Sequence, residues 1–555
     1  MRDQTTPNQI RSVLRNLSRG PTALRLAYDK ARQRIDQQLP GYRRLARKVL
    51  TWITLARCKL TVEELQEAVA IEPGMETLDR DNDLSDEDTI ISVCAGLVMV
   101  DRKSGVVHFI HLTVQEYFNS ICAEWVPDGQ TMITHSCLTC LDLQPLVRPA
   151  LREGTIFAVD FTDVFVRHKF LRYAGQNWGF HLAHTNNVEV HARVGALLHD
   201  TAWLAYASAI MLAEQTLLRS YACFTKEITP LHVCVWFGLW NIAQVLIAEG
   251  ANEHERDSMG RTLFSWAANR GHTEIVRYML AQDEVDVDVD ARDQTGRTPL
   301  SEASAAGHTA IVKMLLLRAD VAANAKDDDG RTPLSRAAQN GHIEIVRLLL
   351  AHKAIEVDTA DEEGSTSLSW AIVCRHTAVA CLLLAEYNAK VNLEDEEGRA
   401  PLSWAAEVGD TQVVGLLLAR ADIEADAEDG HGRTPLSRAS ENGHAEIVEL
   451  LLARQDVRAD TVDAGSRTPL LWAARHGHTE IVALLLTRDE VDWDPVDEDG
   501  ETPLSLATQH GHGKVVQLLF ARAALDADAQ LRCFLEEVED VEEQEEEDTA
   551  AIALD

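Results

Sequence analysis

Asp327-Asp-Asp-Gly-Arg-Thr-Pro-Leu-Ser-Arg-Ala-Ala-Gln-Asn-Gly-His-Ile-Glu-Ile-Val-Arg-Leu-Leu-Leu350 is the stretch on which the fold turns. Thr332 is placed to cap a helix, its hydroxyl accepting a backbone N–H of the first turn. Pro333 takes the first helical position, where a missing N–H costs nothing. Leu334, Ala337 and Ala338 give a short helix with a small-residue face that lets a neighbour come close. Gly341 permits the left-handed turn that ends it. Ile343, Ile345, Val346, Leu348, Leu349 and Leu350 make a second helix. It is apolar on too many sides to lie alone on a surface, so neighbours must cover both flanks. Ile355-Glu-Val-Asp358 then reads as an extended hairpin arm leading to the next unit.

Working outward, the same pattern recurs nine times. Copies begin at Thr229, Thr262, Thr298, Thr332, Thr366, Ala400, Thr434, Thr468 and Thr502, with steps of 33, then 36, then 34 residues throughout. A fixed period of this size implies stacked units, each burying its apolar faces against its neighbours. Such arrays make extended binding surfaces and seldom supply chemistry.

The tokens Asp-x-x-Gly-Arg-Thr-Pro-Leu, Ala-Ala, Gly-His and Ile-Val-x-Leu-Leu-Leu, in register over about residues 226–525, resemble the ankyrin repeat. The resemblance implies a mainly α-helical solenoid that binds proteins through hairpin tips and the exposed end of the first helix. Two departures are visible. Thr-Pro-Leu-His keeps its His only in the first copy, and the Gly after the second helix survives only as Gly250. Both bear on hairpin angle and curvature. On this mapping the candidate partner-binding residues are Asp328, Asp329, Arg331, Glu362, Glu363, Glu396, Glu397, Arg399, Glu498 and Asp499 at the tips. At the helix ends they are Gln339, Asn340, Glu441, Asn442, Arg475 and His476. The tips read either as an acidic ridge for a basic ligand or as local Asp–Arg pairs, with Arg261, Arg297, Arg331, Arg399, Arg433 and Arg467 as the cations; surface pairs of that kind are worth little.

Histidines 272, 308, 342, 444, 478 and 512 follow a glycine in six copies. Helices packed about 8–10 Å apart cannot share a metal whose bonds are about 2 Å long, so each is expected to make a structural hydrogen bond. Trp266, Trp370, Trp404 and Trp472 recur on the first helix, as packing between copies or as binding anchors. Copies five and six depart furthest: Ser367 replaces the proline, Arg375 the turn glycine and Ala400 the capping threonine. A soft joint is expected near residues 360–410.

Net charge is −36 over 555 residues, yet residues 1–60 hold fourteen Lys/Arg against three Asp/Glu. So acidic a body repels nucleic acid and anionic membrane and suits a basic protein partner or the chain's own basic end. The longest apolar run, Ile90 to Val100, is too short to span a bilayer, and Met1-Arg-Asp-Gln-Thr-Thr lacks a signal peptide's apolar run. Ten scattered cysteines, mostly in apolar contexts, fit a reducing interior, so a cytoplasmic location is expected, with a nuclear one open.

Before the repeats, Ile35 to Arg57 has helical periodicity, Thr61 and Glu64 are spaced for a capping box, and Thr89 to Leu97 reads as an apolar helix after an acidic loop from Glu76 to Asp88. Val98 to Ile110 alternates around a Lys103-Ser-Gly turn, as a two-stranded hairpin does. Helices followed by such a ribbon make a winged helix. Its last helix offers no basic or amide residue to read bases, which argues against DNA recognition.

The strings Leu45-Ala-x-x-Val-Leu-x-Trp52, Leu60-Thr-x-x-Glu64-Leu, Cys94-x-Gly-Leu and His111-Leu-Thr-Val-Gln-Glu-Tyr-Phe118 resemble the winged helix after the nucleotide-binding module of fungal NACHT–ankyrin proteins. Cys137-Leu-Thr-Cys-Leu and Tyr173-Ala-Gly-Gln-Asn-Trp-Gly-Phe-His181 resemble their helical linker. That likeness implies a signalling switch of the STAND class and, as a partner, a STAND-type ATPase. No Gly-x4-Gly-Lys-Ser/Thr occurs, and Gly513-Lys514 precedes Val515, so no phosphate cradle and no ATPase activity are assigned.

His135, Cys137 and Cys140 offer three metal-ligand types without a fourth at a telling spacing, and no nucleophile–base constellation is present. No cofactor and no metal are expected. The expected organisation is a winged-helix module (residues 1–126), a helical linker (127–225), the repeat array (226–530) and an acidic tail (531–555) that caps the last copy or shields the basic end. The expected function is non-catalytic protein recognition. An adaptor presenting substrates to a separate enzyme is the first alternative, and a winged-helix DNA regulator the second.

Overall fold

The computed structural model describes residues 21–143, 161–212, 228–281, 287–387 and 389–526. The chain divides into two compact units, one of residues 1–267 and 274–285, the other of residues 268–273 and 286–555. The basic stretch before residue 21 and the acidic tail lie outside the described residues.

In the first unit, α1 (Pro21–Asp36) and α2 (Pro40–Leu55) are separate helices. The periodicity over Ile35–Arg57 suggested one helix. Pro40 breaks it, because it lacks the N–H that a continuous helix needs there and instead opens α2. Ala46, Val49, Leu50 and Trp52 are fully buried on α2. Before α3 (Val62–Ala70), Thr61 and Glu64 close the expected capping box: the Glu64 N–H donates to Thr61 Oγ1 at 3.3 Å and the Thr61 N–H to Glu64 Oε2 at 2.8 Å. A short α4 (Arg80–Asp83) interrupts the acidic loop, and α5 spans Glu87–Val93. The expected helix to Leu97 stops early because Ala95 and Gly96 take left-handed conformations and turn the chain into β1.

Strands β1 (Val98–Val100) and β2 (Val107–Phe109) pair antiparallel, Val98 opposite Phe109. The Val107 N–H also donates to the Leu60 carbonyl at 2.9 Å, which ties the start of α3 to the ribbon. This is the winged helix. On α6 (Leu112–Trp125) the string from His111 to Phe118 proves structural. The Thr113 N–H donates to His111 Nδ1 at 3.2 Å, Tyr117 donates to Asp29 at 2.6 Å, and Phe118 stacks on Phe109 with centroids 5.3 Å apart.

Helices α7 (Gly129–Asp142), α8 (Phe161–Arg167), α9 (Lys169–Leu182), α10 (Val188–His199) and α11 (Thr201–Met211) follow. Cys137 and Cys140 are buried in α7, and burial raises both thiols. Glu67 of α3 receives the backbone N–H of Lys169 at 3.3 Å and of Phe170 at 3.1 Å, and pairs with Arg80; it caps α9 from another helix. The glycines in the string from Tyr173 to His181 mark close approach. A Cβ on Gly175 would overlap Ile210, and one on Gly179 would overlap the Phe237 ring of the first repeat. Trp178 meets Phe237 at 4.8 Å and Trp203 at 5.7 Å, so the first repeat is covered by aromatic side chains of this unit.

Among the described residues, nine helix pairs at the repeat period run from Pro230–Phe237 to the final pair, Pro503–Gln509 with residues 513–526. The fourth shows why. Thr332 accepts the Ser335 N–H at 3.2 Å, Pro333 opens the helix, and Gly341 ends the turn at φ 73°. Leu334, Ala337, Ala338, Ile345, Val346 and Leu349 are buried. The expected extended arm from Ile355 is a run of turns instead. Within the hairpin, the tip is closed by Asp361 N–H to the Ser365 carbonyl at 3.0 Å and Gly364 N–H to the Asp361 carbonyl at 3.1 Å.

At the sixth copy Ala400 makes no side-chain cap, and the Ser403 hydroxyl is buried with no partner among the described residues, whereas the Ser335, Ser369 and Ser437 hydroxyls meet the capping threonine. Ala400→Thr is expected to supply both and to stabilise the chain by about 1 kcal/mol, read as a rise in the urea midpoint. An unchanged midpoint would show that this cap is already compensated. The same cap loss underlies the soft joint expected over residues 360–410. Hydrogen exchange should show faster amide exchange there than in copies four and seven, and uniform protection would refute it.

Candidate protein-binding face

Each hairpin of the second unit is built on one buried aspartate. In the fourth copy Asp327 accepts the N–H of Asp329 at 3.2 Å and of Arg331 at 2.8 Å through Oδ1, while Oδ2 takes the Arg336 guanidinium. Asp361, Asp395 and Asp463 repeat this with tryptophan as the donor: Trp370, Trp404 and Trp472 Nε1 lie 2.7, 3.0 and 3.0 Å from Oδ2. Asp429 returns to arginine through Arg438. Burial alone would push the Asp429 carboxyl up. The Arg433 N–H and the Arg438 guanidinium, with the His431 N–H, outweigh it and hold the group below the usual range.

The recurring tryptophans therefore serve the hairpins. Arg331 lies over Trp370 at 4.4 Å, Arg399 over Trp404 at 3.9 Å and Arg433 over Trp472 at 4.4 Å. From copy four to copy eight, positions 336, 370, 404, 438 and 472 are planar N–H donors, a signal that spacing carries but that a search for tryptophan alone misses; copies three and nine carry Glu302 and Leu506 there.

From copy four to copy nine, each hairpin tip is hydrogen-bonded to the tip before it. The N–H of Asp328, Glu362, Glu396, Gly430, Ala464 and Glu498 donates to the carbonyl of Thr295, Asp329, Glu363, Glu397, His431 and Gly465 respectively, at 2.7–3.2 Å. This ladder sets the tip side chains in one row. Asp328, Asp329, Glu362, Glu363, Glu396, Glu397, Glu498 and Asp499 are all exposed. The row is acidic without a break through copies four to six, lapses at Gly430-His431 and Ala464-Gly465, and resumes at Glu498-Asp499.

The two readings of the tips divide by position. Asp329 lies 3.3 Å from Arg336, Glu397 3.0 Å from Arg399 and Asp499 3.0 Å from Arg467. Asp328, Glu362, Glu363, Glu396 and Glu498 have no cation within pairing distance among the described residues. The arginines mainly serve the buried aspartates: Arg399 Nε is 3.1 Å from Asp395, and Arg433 and Arg467 reach Asp463 and Asp497 of the next copy at 3.5 and 3.3 Å.

The helix-end candidates have mixed roles. Asn340 and Asn442 are exposed, each returning one amide bond to its own helix, at 2.9 and 3.0 Å. Glu441 is held 2.9 Å from Arg433, which joins the helix end to the hairpin. His476 is exposed and stacks on Trp472 at 6.2 Å; partial burial lowers its pKa. Arg475 lies 5.9 Å from the Trp472 ring. Gln339 and Arg475 lend their carbonyls to the histidine of the next copy, at 3.0 and 3.1 Å.

That histidine contact is general. Nε2 of His308, His342, His444 and His478 bonds the carbonyl of Asn269, Ala305, Glu407 and Glu441 at 2.8–3.0 Å. The ring sits against the turn glycine of the preceding copy, where an added Cβ would lie 2.8 Å from the ring at Gly307 and 2.6 Å at Gly443. His376 belongs to the set, although Arg375 before it hides it from a search for Gly-His. The structural hydrogen bond expected of His308, His342, His444, His478 and His512 is what they make.

The family model for ankyrin repeats in groups of three matches residues 231–325, 316–395, 388–463 and 453–532, together more than half of the chain. The chain belongs to the ankyrin-repeat family. In the ankyrin-repeat protein described here, residues 35–124 also match the model for the winged helix domain of GPI inositol-deacylase. A search of curated proteins finds no match. Ankyrin repeats are protein-interaction modules, so protein partners are the coarse function of the array. No helix among the described residues is long and apolar enough to cross a membrane.

Proposed function

We propose that this chain is a non-catalytic recognition scaffold whose acidic hairpin row binds a basic protein segment. The observation that carries this reading is the hydrogen-bonded tip ladder with Asp328, Glu362, Glu363 and Glu396 exposed and unpaired along it. Carboxylates fixed on a rigid ladder bind cations without first losing side-chain partners, and a single-sign row also speeds encounter. The order of a winged helix, a helical segment and an ankyrin array supports a place in a STAND-type signalling system in the cytoplasm, with a separate ATPase as partner.

The test is affinity capture with the full chain and with the triple variant Asp328→Lys, Glu362→Lys, Glu396→Lys. The expected result is a specific partner with a basic segment that the variant loses by tenfold or more, while circular dichroism is unchanged. Retention by the variant would refute the ridge. A STAND-type ATPase among the captured proteins supports the switch setting, whereas a single catalytic enzyme would replace it with the adaptor role.

A further inference from the structure

Given the acidic row as the binding face, on which this reading rests, we propose that copies five and six add two apolar notches beside it. They take a basic segment that carries two apolar side chains about three residues apart. In each copy a stripe runs from the hairpin to the end of the first helix. Asp361 accepts the Trp370 indole N–H at 2.7 Å, and Cys374 follows Trp370 one helical turn on. Asp395, Trp404 at 3.0 Å and Val408 repeat the stripe in copy six.

These two stripes are the open ones. Trp266 and Trp472 are only 2% and 5% exposed, whereas Trp370 and Trp404 are half-buried. In copy eight His476, one turn beyond Trp472, stacks on its ring and covers it. Cys374 and Val408 stand in that place, are too short to cover an indole, and are themselves half-buried. Arg331 and Arg399 lie over the Trp370 and Trp404 rings, so each notch is what the guanidinium leaves open beside the short side chain. On either side the stripe turns polar, with Arg336 and Asn340 in copy four and Arg438 and Asn442 in copy seven. The apolar surface is therefore two copies wide.

The charge around the notches selects a basic occupant. Residues 361–428 hold fourteen Asp/Glu against four Lys/Arg. At the tips Glu362, Glu363 and Glu396 are exposed, with no cation in pairing distance among the described residues. At the helix ends Arg375 is set against Glu407 and Asp410, and Glu407 lies 3.5 Å from Arg438, so nothing there offsets the tips. The Glu396 N–H donates to the Glu363 carbonyl at 2.9 Å, which holds the two copies one step apart. Packed helices lie about 8–10 Å apart. Three residues of a polyproline-II segment advance about 9 Å and return a side chain to the same face. Such a segment reaches both notches with every third residue, and Lys or Arg in between runs along the three carboxylates.

The experiment uses the full chain and two fluorescent peptides of Lys and Arg, read by anisotropy. One carries two leucines three residues apart, and the other has serine at both places. The leucine peptide is expected to bind about tenfold more tightly. Cys374→Asn/Val408→Asn should bind the two peptides equally. Asparagine occupies this register in copies four and seven, so thermal melts should coincide with the parent. On the parent itself, saturating leucine peptide should slow maleimide labelling of Cys374 severalfold and leave the exposed Cys58 unchanged. Equal affinity of the parent for both peptides would overturn the notches and leave the acidic row standing. So would a leucine preference kept by the asparagine variant, or labelling of Cys374 at an unchanged rate. Glu362→Lys/Glu396→Lys should weaken both peptides, and full binding by that variant would refute the row and the notches with it.

Discussion

Asp410→His is expected to destabilise the repeat array by about 3 kcal/mol, even though it restores the residue found at this position in most copies. In those copies the imidazole occupies the space where the preceding turn glycine has no Cβ. Here the preceding turn residue is Arg375, a non-glycine at φ 60°, whose Cβ stands where the ring would go. Asp410 fits instead: it is short, it caps the next helix by accepting the Val413 N–H at 3.1 Å, and it takes the Thr377 hydroxyl. Arg375→Gly alone should be nearly neutral, because relief of about 1 kcal/mol of left-handed strain is set against an unfilled space. The pair Arg375→Gly/Asp410→His should recover most of the loss. A double-mutant cycle by urea denaturation reads the coupling directly, and a coupling near zero would mean the two positions are independent.

The second large effect belongs to Glu67. Removing this buried carboxylate by Glu67→Ala strands the Lys169 and Phe170 N–H groups at the start of α9 and leaves Arg80 without its buried partner. The expected cost is about 3–5 kcal/mol. Glu67→Gln keeps an acceptor and should lose only about 1–2 kcal/mol. The pH dependence separates the two causes. Burial raises the Glu67 pKa against the lowering pull of the Phe170 N–H and Arg80. The native state therefore holds this proton more tightly than the unfolded chain. The group's contribution to stability is fully present below the unfolded pKa and declines as pH rises through the folded value. Urea midpoints of the parent should show that decline above the ordinary glutamate range, and Glu67→Gln should flatten it. A parent curve rising with pH through this range would mean that the Arg80 pair outweighs burial.

What could be read in advance depended on how local the physics was. Thr332, Pro333 and Gly341 act within one helical turn, so their roles follow from residue type and spacing. The winged helix was legible for the same reason, through the Thr61–Glu64 box and the alternation around Ser104. Its helix limits were less so, because Pro40 and Ala95 matter through backbone geometry that periodicity does not register. The acidic tips were visible as composition. Their division into paired and unpaired carboxylates was not, since Arg331 and Arg433 reach across to the next copy's buried aspartate.

The imidazole–glycine contact also limits how this array can be edited. Deleting the sixth copy alone would bring His444 against Arg375, and deleting the fifth alone would leave Asp410 facing the bare Gly341. Removing both together returns a histidine to a glycine. Those two modules are therefore heritable only as a couple: any deletion or duplication that takes one of them must carry the other across with it or repair the seam between them.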